Sequence, residues 1–537
     1  MVSAAALAAV PAAEAAIPAE VVGRHDENVA RLLKSQITDP ASRFAGTAED
    51  ASGLHSAGAA GGALTAFATA FLQPASRFHG APLMLERCRL AAGYLERAQS
   101  PDGNIDLLST NFNSPPDTGF VVHGVGSAAC LARRAGSREL LGLMERFLRR
   151  AGGGMARGGV HTPNHRWVVS SALAQIHEVF PDPAYPRRIE QWLAEGIDLD
   201  ADGQFTERST GVYNTVCDRA FTVLAVKLNR PALLDAVRRN LDAMLYLLHP
   251  GYEVVTEISR RQDQYERQDM AGYWFPLQYL AVRDGNGRYA ELARHFAPRA
   301  ASLTALMEYP ELQRSVAPAP VPDDYAKLLP AVEALRIRRG SMSATAMLRG
   351  DSHFLGFRRG DAVIHSVRFA SAFFGKGQFV PTAWKQQDGA YELTQTLEAG
   401  YYQPFDPPRR VAAGEWGRVR EERRQSEVCR LVQSARLAET RGGVRLRLRA
   451  EGTAGVPVAV EIGLREGGTL EGCVESHGSW ILADGYATYR AGSDAVRFGP
   501  GLREHSYTQV RGAAPPLPGT RVYLCGYTPF DREIEIS

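Results

Sequence analysis

The chain has 537 residues, enough for two or three domains, and its 45% apolar and 22% charged content is a globular balance with mass for a sizeable core. Its 61 basic and 59 acidic residues leave a net charge of +2, which excludes nucleic acid or an acidic membrane as an electrostatically driven main partner. All but five of the basic residues are arginine, the planar fork that grips carboxylates in pairs, so acidic small groups stay open as ligands.

Residues 1–24 read as a flexible N-terminal segment. They are rich in Ala and Val, but Glu14 and Glu20 interrupt them and no basic run precedes them, which makes a poor export signal. A cytoplasmic location is therefore favoured, with an exported or periplasmic one the alternative if the N-terminus has been trimmed. No uncharged apolar run is long enough for a membrane span.

From 25 to 310 the pattern is helical. Leu85, Cys88, Leu90 and Leu95 repeat near a 3.6 period, and Pro101, Asp102 and Gly103 then stop the run. Similar segments lie at 120–134, 138–151, 165–180, 187–197, 213–228, 231–248, 270–283 and 288–308. Helices of this size, joined by Gly, Pro, Asp and Asn turns, suit hairpins stacked in a ring or solenoid. Residues 311–335, with Pro318, Pro320 and Pro322, read as a linker. From 336 to 537 the signal becomes period two, as in 443–450 (GVRLRLRA), with Gly and Asp turns. That pattern predicts an antiparallel all-β domain, a sandwich. None of the six cysteines forms a CxxC pair, so no zinc ribbon or thioredoxin motif is present. No metal or cofactor is implied, and nothing in the pattern encodes an oligomeric state.

The most informative stretch is 161–221. It holds Asn164-His165-Arg166-Trp167, where a turn enters a helix, and DGxxxExSxxxY from Asp202 to Tyr213, where another helix begins. The plain reading is that Asn164 caps its helix. The functional reading is uronate chemistry. Removing the proton at C5 of a uronic acid requires hydrogen-bond donors to offset the carboxylate charge, a base, and an acid for the leaving O4. An amide, an imidazole and a phenol supply these without a metal.

These two motifs resemble the toroid polysaccharide lyases of the heparinase II/III and alginate lyase type. The resemblance implies an incomplete (α/α) toroid followed by an antiparallel β-sandwich. It implies that Asn164 and His165 bind the substrate carboxylate and that Tyr213 is the catalytic acid, acting also as base in some members. The HxHxD segment common in heparinase-type β domains is reduced here to His365 in Val363-Ile364-His365-Ser366, which argues against a bound metal. The stretch with Phe373-Phe374-Gly375-Lys376 and Tyr401-Tyr402 is more similar to the hyaluronate and chondroitin lyase β domain.

Other residues carry two readings each. Asn113 and His123 lie where helix starts in a ring line one rim, although a satisfied core histidine is the commoner case. Glu207 orients an Arg or His, or is an ion-pair partner at a helix start. Arg219 reaches Tyr213 only if its helix turns it inward. Arg261 falls in a charged stretch, TEISRRQDQYERQD, whose default is a solvated face. Tyr273 and Trp274 stack on sugars or fill the core. His365 is the candidate from the sandwich to join the catalytic set, and Tyr402 a cleft-lining residue. The expected partner is an acidic polysaccharide or oligosaccharide. A glycoside hydrolase using a carboxylate pair drawn from Asp102, Asp106, Asp117 and Glu207, and a glycan-binding protein without catalysis, are the alternatives.

Overall fold

In the computed structural model, which describes residues 17–537, apolar helical spacing in the first part of the chain produces a unit of stacked hairpins. The inner helices Ala57–Leu72, Pro115–Arg134, Pro163–Val179 and Tyr213–Lys227 pack side by side in that order, and Trp274–Asp284 continues the series. Pro82–Ala98, Arg138–Arg157, Ala184–Ala194, Leu234–Met244 and Gly287–Ala300 form the outer layer, each paired with an inner helix. The two layers differ in sequence as their positions demand. AGAAGGALTAFATAFL of the first inner helix is apolar nearly all round, whereas Arg138–Arg157 buries a stripe of Leu140, Met144, Phe147 and Leu148 and leaves its charges outside. Small residues let inner helices approach closely. A Cβ on Gly119 would meet Val168 Cγ1 at 2.9 Å, and one on Gly61 would meet Val121 Cγ1 at 2.6 Å.

Three of the returns to inner helices use the same tight turn. The amide of Gly53 donates to Asp50 O, that of Gly103 to Ser100 O and that of Gly203 to Asp200 O. Each glycine has a positive φ, and a Cβ on Gly203 would lie 2.5 Å from Arg239 O, so the position admits little else. The repeat is one of turn geometry. Little of it shows as sequence similarity because only the glycine and an oxygen acceptor are demanded.

The second unit is two packed sheets. The nine-stranded sheet runs in spatial order Val474–Ser476, Ser479–Ile481, Thr520–Tyr527, Pro457–Leu464, Ala362–Ser371, Leu355–Arg359, Met342–Met347, Ala334–Arg339, Asp324–Leu329. The eight-stranded sheet centres on Gly443–Gly452 between Gln425–Thr440 and Phe530–Ile536. Pairing is antiparallel apart from Trp480 and Ile481 against Val522 and Tyr523. Strand alternation fills the core: Val444, Leu446 and Leu448 face it with Phe369, Val460 and Ile462 of the other sheet, while Arg445, Arg447 and Arg449 face water.

The division of the chain departs from the boundaries read in the sequence. The helical unit ends at Leu245 and resumes over Ser259–Val321, while Tyr246–Ile258 groups with the sandwich unit. A buried network explains that grouping. The Arg336 guanidinium donates to the carbonyls of Leu248 and Ala344 and to the hydroxyls of Ser343 and Thr345. His249 bonds Ser343 Oγ and Glu257, and Glu253 takes both Arg358 and Arg465. The expected linker 311–335 contains the edge strand Asp324–Leu329, and the sandwich unit starts at Pro322. Most of the expected flexible segment 1–24 lies outside the described residues, and 19–24 is already helical within Ala19–Ser35.

Candidate active site

The helix Pro163–Val179 has Thr162 at its N-cap and proline at its first turn, so Asn164 sits inside that turn and does not cap it. Its side chain turns to Glu207 instead. Glu207 Oε1 accepts the Asn164 backbone N–H at 3.1 Å and the Asn164 Nδ2 amide as well. A carboxylate thereby sits on a helix N-terminus, where the backbone dipoles favour it. The other Glu207 oxygen takes the Arg261 guanidinium at 3.1 Å. Arg261 in turn lies over the Tyr213 ring, 5.0 Å from its centroid, and Gln262 Nε2 donates to the Tyr213 hydroxyl at 2.9 Å. Asn164, Glu207, Arg261 and Tyr213 thus form one connected chain across sequence gaps of 43 and 54 residues.

Tyr213 is placed by the loop before it. The Ser209 hydroxyl accepts the Tyr213 N–H at 3.0 Å and donates to the buried Asp263 carboxylate at 2.7 Å. Asp263 also accepts from Gly211 N–H and Ser259 Oγ, and Arg260 N–H donates to Arg208 O. The returning segment that starts at Ser259 is therefore stitched to the 207–213 loop. Gly211 is tight: a Cβ there would meet Gln268 Cγ at 2.5 Å. Tyr273, fully buried, donates to Thr210 O and belongs to this scaffold rather than to a sugar-stacking face.

His165 lies edge-on to His161 and Phe120, at 4.7 and 6.2 Å between ring centroids. Burial, assisted by His161 and Arg261 and opposed by Asp117, lowers its pKa to about 4, so it is neutral at physiological pH. Two polar atoms of the cluster, Asn164 Oδ1 and His165 Nδ1, are buried without a hydrogen-bond partner.

The remaining candidates separate. His123 is 5% exposed, bonds Ser171 Oγ at 2.7 Å, and is lowered to about 3 by burial and by Arg219. Arg219 lines an interior cavity with His123 and Trp274. Asn113, at φ +48°, pins its own loop: it donates to Asp102 and accepts from Ser100 and Asn104. The carboxylates of the hydrolase alternative are also engaged. Asp106 accepts Asn113 N–H, Asp117 accepts Ser114 Oγ and Asn111 Nδ2, and Glu207 is bound as described. In the sandwich unit, His365 stands on Ala362–Ser371 against Gly463 and Gly519, lowered to about 4 by burial and Arg465. Tyr402 ends Ala390–Tyr402 with Arg420 over its ring at 5.9 Å. Sequence reasoning missed Gln262, Ser259 and Asp263, which sit in or beside the charged stretch read as a solvated face. Among the described residues no group of three or more His, Cys, Asp and Glu is arranged to hold a metal ion, and no helix is long and apolar enough to cross a membrane.

Comparison with solved structures gives three informative likenesses. The chondroitin AC lyase of Streptomyces coelicolor A3, solved with chondroitin sulphate, aligns with a TM-score of 0.56 at 16% identity over 98% of this chain and 80% of that one. A Paenibacillus xanthan lyase aligns at 0.56 and 12% identity over 96% of this chain, which spans 56% of its length. The heparan sulfate lyase of Pedobacter heparinus aligns at 0.51 and 12% identity over 98% and 84%. No family model matches the sequence, and no curated protein matches it. At these identities the likeness is one of fold: the chain has the helical toroid followed by antiparallel β-sandwich of these polysaccharide lyases.

Proposed function

We propose that this chain is a polysaccharide lyase that cleaves a uronate-containing glycan by β-elimination. The observation that carries the reading is the connected chain of Asn164, Glu207, Arg261 and Tyr213, with His165 beside it. The fold of structures named as chondroitin, xanthan and heparan sulfate lyases supports it.

In this reaction the C5–H bond breaks, its electron pair becomes the C4–C5 double bond, and the C4–O4 bond breaks as O4 takes a proton. Asn164 and the neutral His165 engage the substrate carboxylate, and Arg261 supplies the positive charge that offsets its resistance to a carbanion. Tyr213 passes the proton to O4. The base at C5 is Tyr213 or a histidine, according to whether the C5 hydrogen stands syn or anti to O4. Glu207 is a positioning residue: it holds Asn164 and Arg261 at fixed orientation without touching substrate. The substrate is an acidic polysaccharide or oligosaccharide, and Asn113 is a further contact proposed for it.

The test is incubation with a panel of glucuronate, iduronate, galacturonate, mannuronate and guluronate glycans, read by the ultraviolet absorbance of the new unsaturated uronate end. A rise with one substrate that disappears in Tyr213→Phe is the expected result. New reducing ends without that absorbance would instead identify a hydrolase.

A further inference from the structure

The helical unit encloses a cavity of about 330 Å³ along its inner helices. The short helix Leu303–Glu308 forms part of its wall, tied in place by Thr304 Oγ1 with Thr69 Oγ1 at 2.9 Å and by Arg134 donating to Glu308 O. Arg219, on the cavity wall, is six residues past Tyr213 on the same helix, about 9 Å along the axis.

The cavity wall carries a cation whose hydrogen-bond donors are open. Arg219 is exposed to it and makes no hydrogen bond or ion pair among the described residues. The nearby acid, Glu308, pairs directly with Lys227 at 2.7 Å, while Lys227 also takes Glu178, so Glu308 acts on Arg219 only through space. His123, kept neutral by burial, offers no counter-charge. Two further groups on the wall are unsatisfied. Gln175 Oε1 and the Tyr309 hydroxyl are buried without a partner, in residues only 1% and 4% exposed. Trp274 and Phe275 add an aromatic surface. A native interior seldom leaves a buried amide oxygen and a buried phenol unpaired around one space that a guanidinium also faces. A carboxylate satisfies the guanidinium with two parallel bonds, and hydroxyls beside it satisfy the amide oxygen and the phenol.

We propose that this cavity is a second binding site, distinct from the Tyr213 cluster, for a small sugar carboxylate of the size of a monosaccharide uronate. The choice of a uronate rests on the lyase reading; the anion site itself does not. Two residues whose spacing suggested contact with the reacting glycan, His123 and Arg219, belong to this second site.

The experiment is calorimetric titration of the full chain with sodium glucuronate, with glucose and sodium sulfate as controls. Glucuronate should bind, and glucose, lacking the charge, should bind roughly tenfold or more weaker. Arg219→Gln should lose roughly tenfold or more in affinity, Tyr309→Phe less, and Tyr213→Phe nothing. Thermal melts of free Arg219→Gln should show a nearly unchanged midpoint, because no hydrogen bond or ion pair of the folded chain is removed, and this confirms that the variant folds. Full binding by folded Arg219→Gln, loss of binding in Tyr213→Phe, absence of glucuronate binding, or sulfate binding as tightly as glucuronate would each overturn the proposal. Glucuronate binding by a chain that cuts no glycan would refute the lyase reading and leave this site standing.

Discussion

The Tyr213 cluster of the helical unit and the His249 network of the sandwich unit use similar residues in opposite bonding states. In the first, Asn164 Oδ1 and His165 Nδ1 have no partner, and Tyr213 is half-buried with one donor on its hydroxyl. In the second, both ring nitrogens of His249 are bonded, the Arg336 guanidinium has acceptors on backbone and hydroxyl oxygens, and Glu253 holds two arginines. Spare hydrogen-bonding capacity leaves a cluster open to a ligand, whereas a saturated buried network fastens one segment to a sheet. The difference teaches that residue type does not separate a site from a structural network, and that the bonding state does.

The largest effect should come from the unsaturated side. Tyr213→Phe removes only a hydroxyl at the surface of the scaffold, so the melting temperature should hold while kcat falls by about 10²–10⁴. A comparable fall in melting temperature would place Tyr213 among the structural residues. On the saturated side, Glu257→Ala removes the acceptor of His249 and Thr345 and a buried negative charge beside Arg336 and Arg358. Denaturant unfolding should then show a loss of about 3–5 kcal/mol, with the activity of the remaining folded protein little changed.

Glu207→Gln tests the bridge between Asn164 and Arg261. Gln retains an acceptor for Asn164 but loses the ion pair, so kcat/KM should fall roughly tenfold, about 1.4 kcal/mol, and Glu207→Asp should not restore it fully. The pH dependence of stability reports on the His249 network. Burial, with Arg358, lowers the His249 pKa from 6.5 to about 3, and its partner Glu257 is also lowered: burial alone would raise it, but His249, Arg358 and Arg336 outweigh that. Below pH 6.5 the unfolded chain therefore takes up protons that the folded chain refuses, and stability falls as pH falls. Melts from pH 7 to 4 should become flatter in His249→Gln by up to one proton, about 1.4 kcal/mol per pH unit. The smallest effect is the exposed pairing of Arg445 with Glu533 and Glu535, where Arg445→Ala should cost at most about 1 kcal/mol.

Much of the fold was legible because it is written in local periods. The 3.6 spacing marked the helices from 84 onward, and the alternation of Val444, Leu446 and Leu448 with arginines marked a half-buried strand. The helix Ala57–Leu72 went unread because an inner helix buried all round shows no stripe. The 288–308 segment read as one helix is two, Gly287–Ala300 and Leu303–Glu308, parted after Pro298. Asn164, His165 and Tyr213 stood out through residue type and spacing. Gln262 and Asp263 did not, because a charged run on one segment looks the same whether it faces water or another loop. His123 was placed at the rim and Arg219 beside Tyr213, although both line the cavity among the inner helices.

The sequence by itself determined where helices and strands run, that the helical part precedes the sheets, and which three side chains are suited to uronate chemistry. Those properties depend on neighbours within a turn or two along the chain. Only the tertiary structure decided that Glu207 joins Asn164 to Arg261, that the chain leaves the helical unit over Tyr246–Ile258, and that Arg219 faces a cavity without a direct hydrogen-bond partner. Those facts depend on which faces of distant elements meet, and that is set by packing and closure of the whole unit rather than by any local pattern.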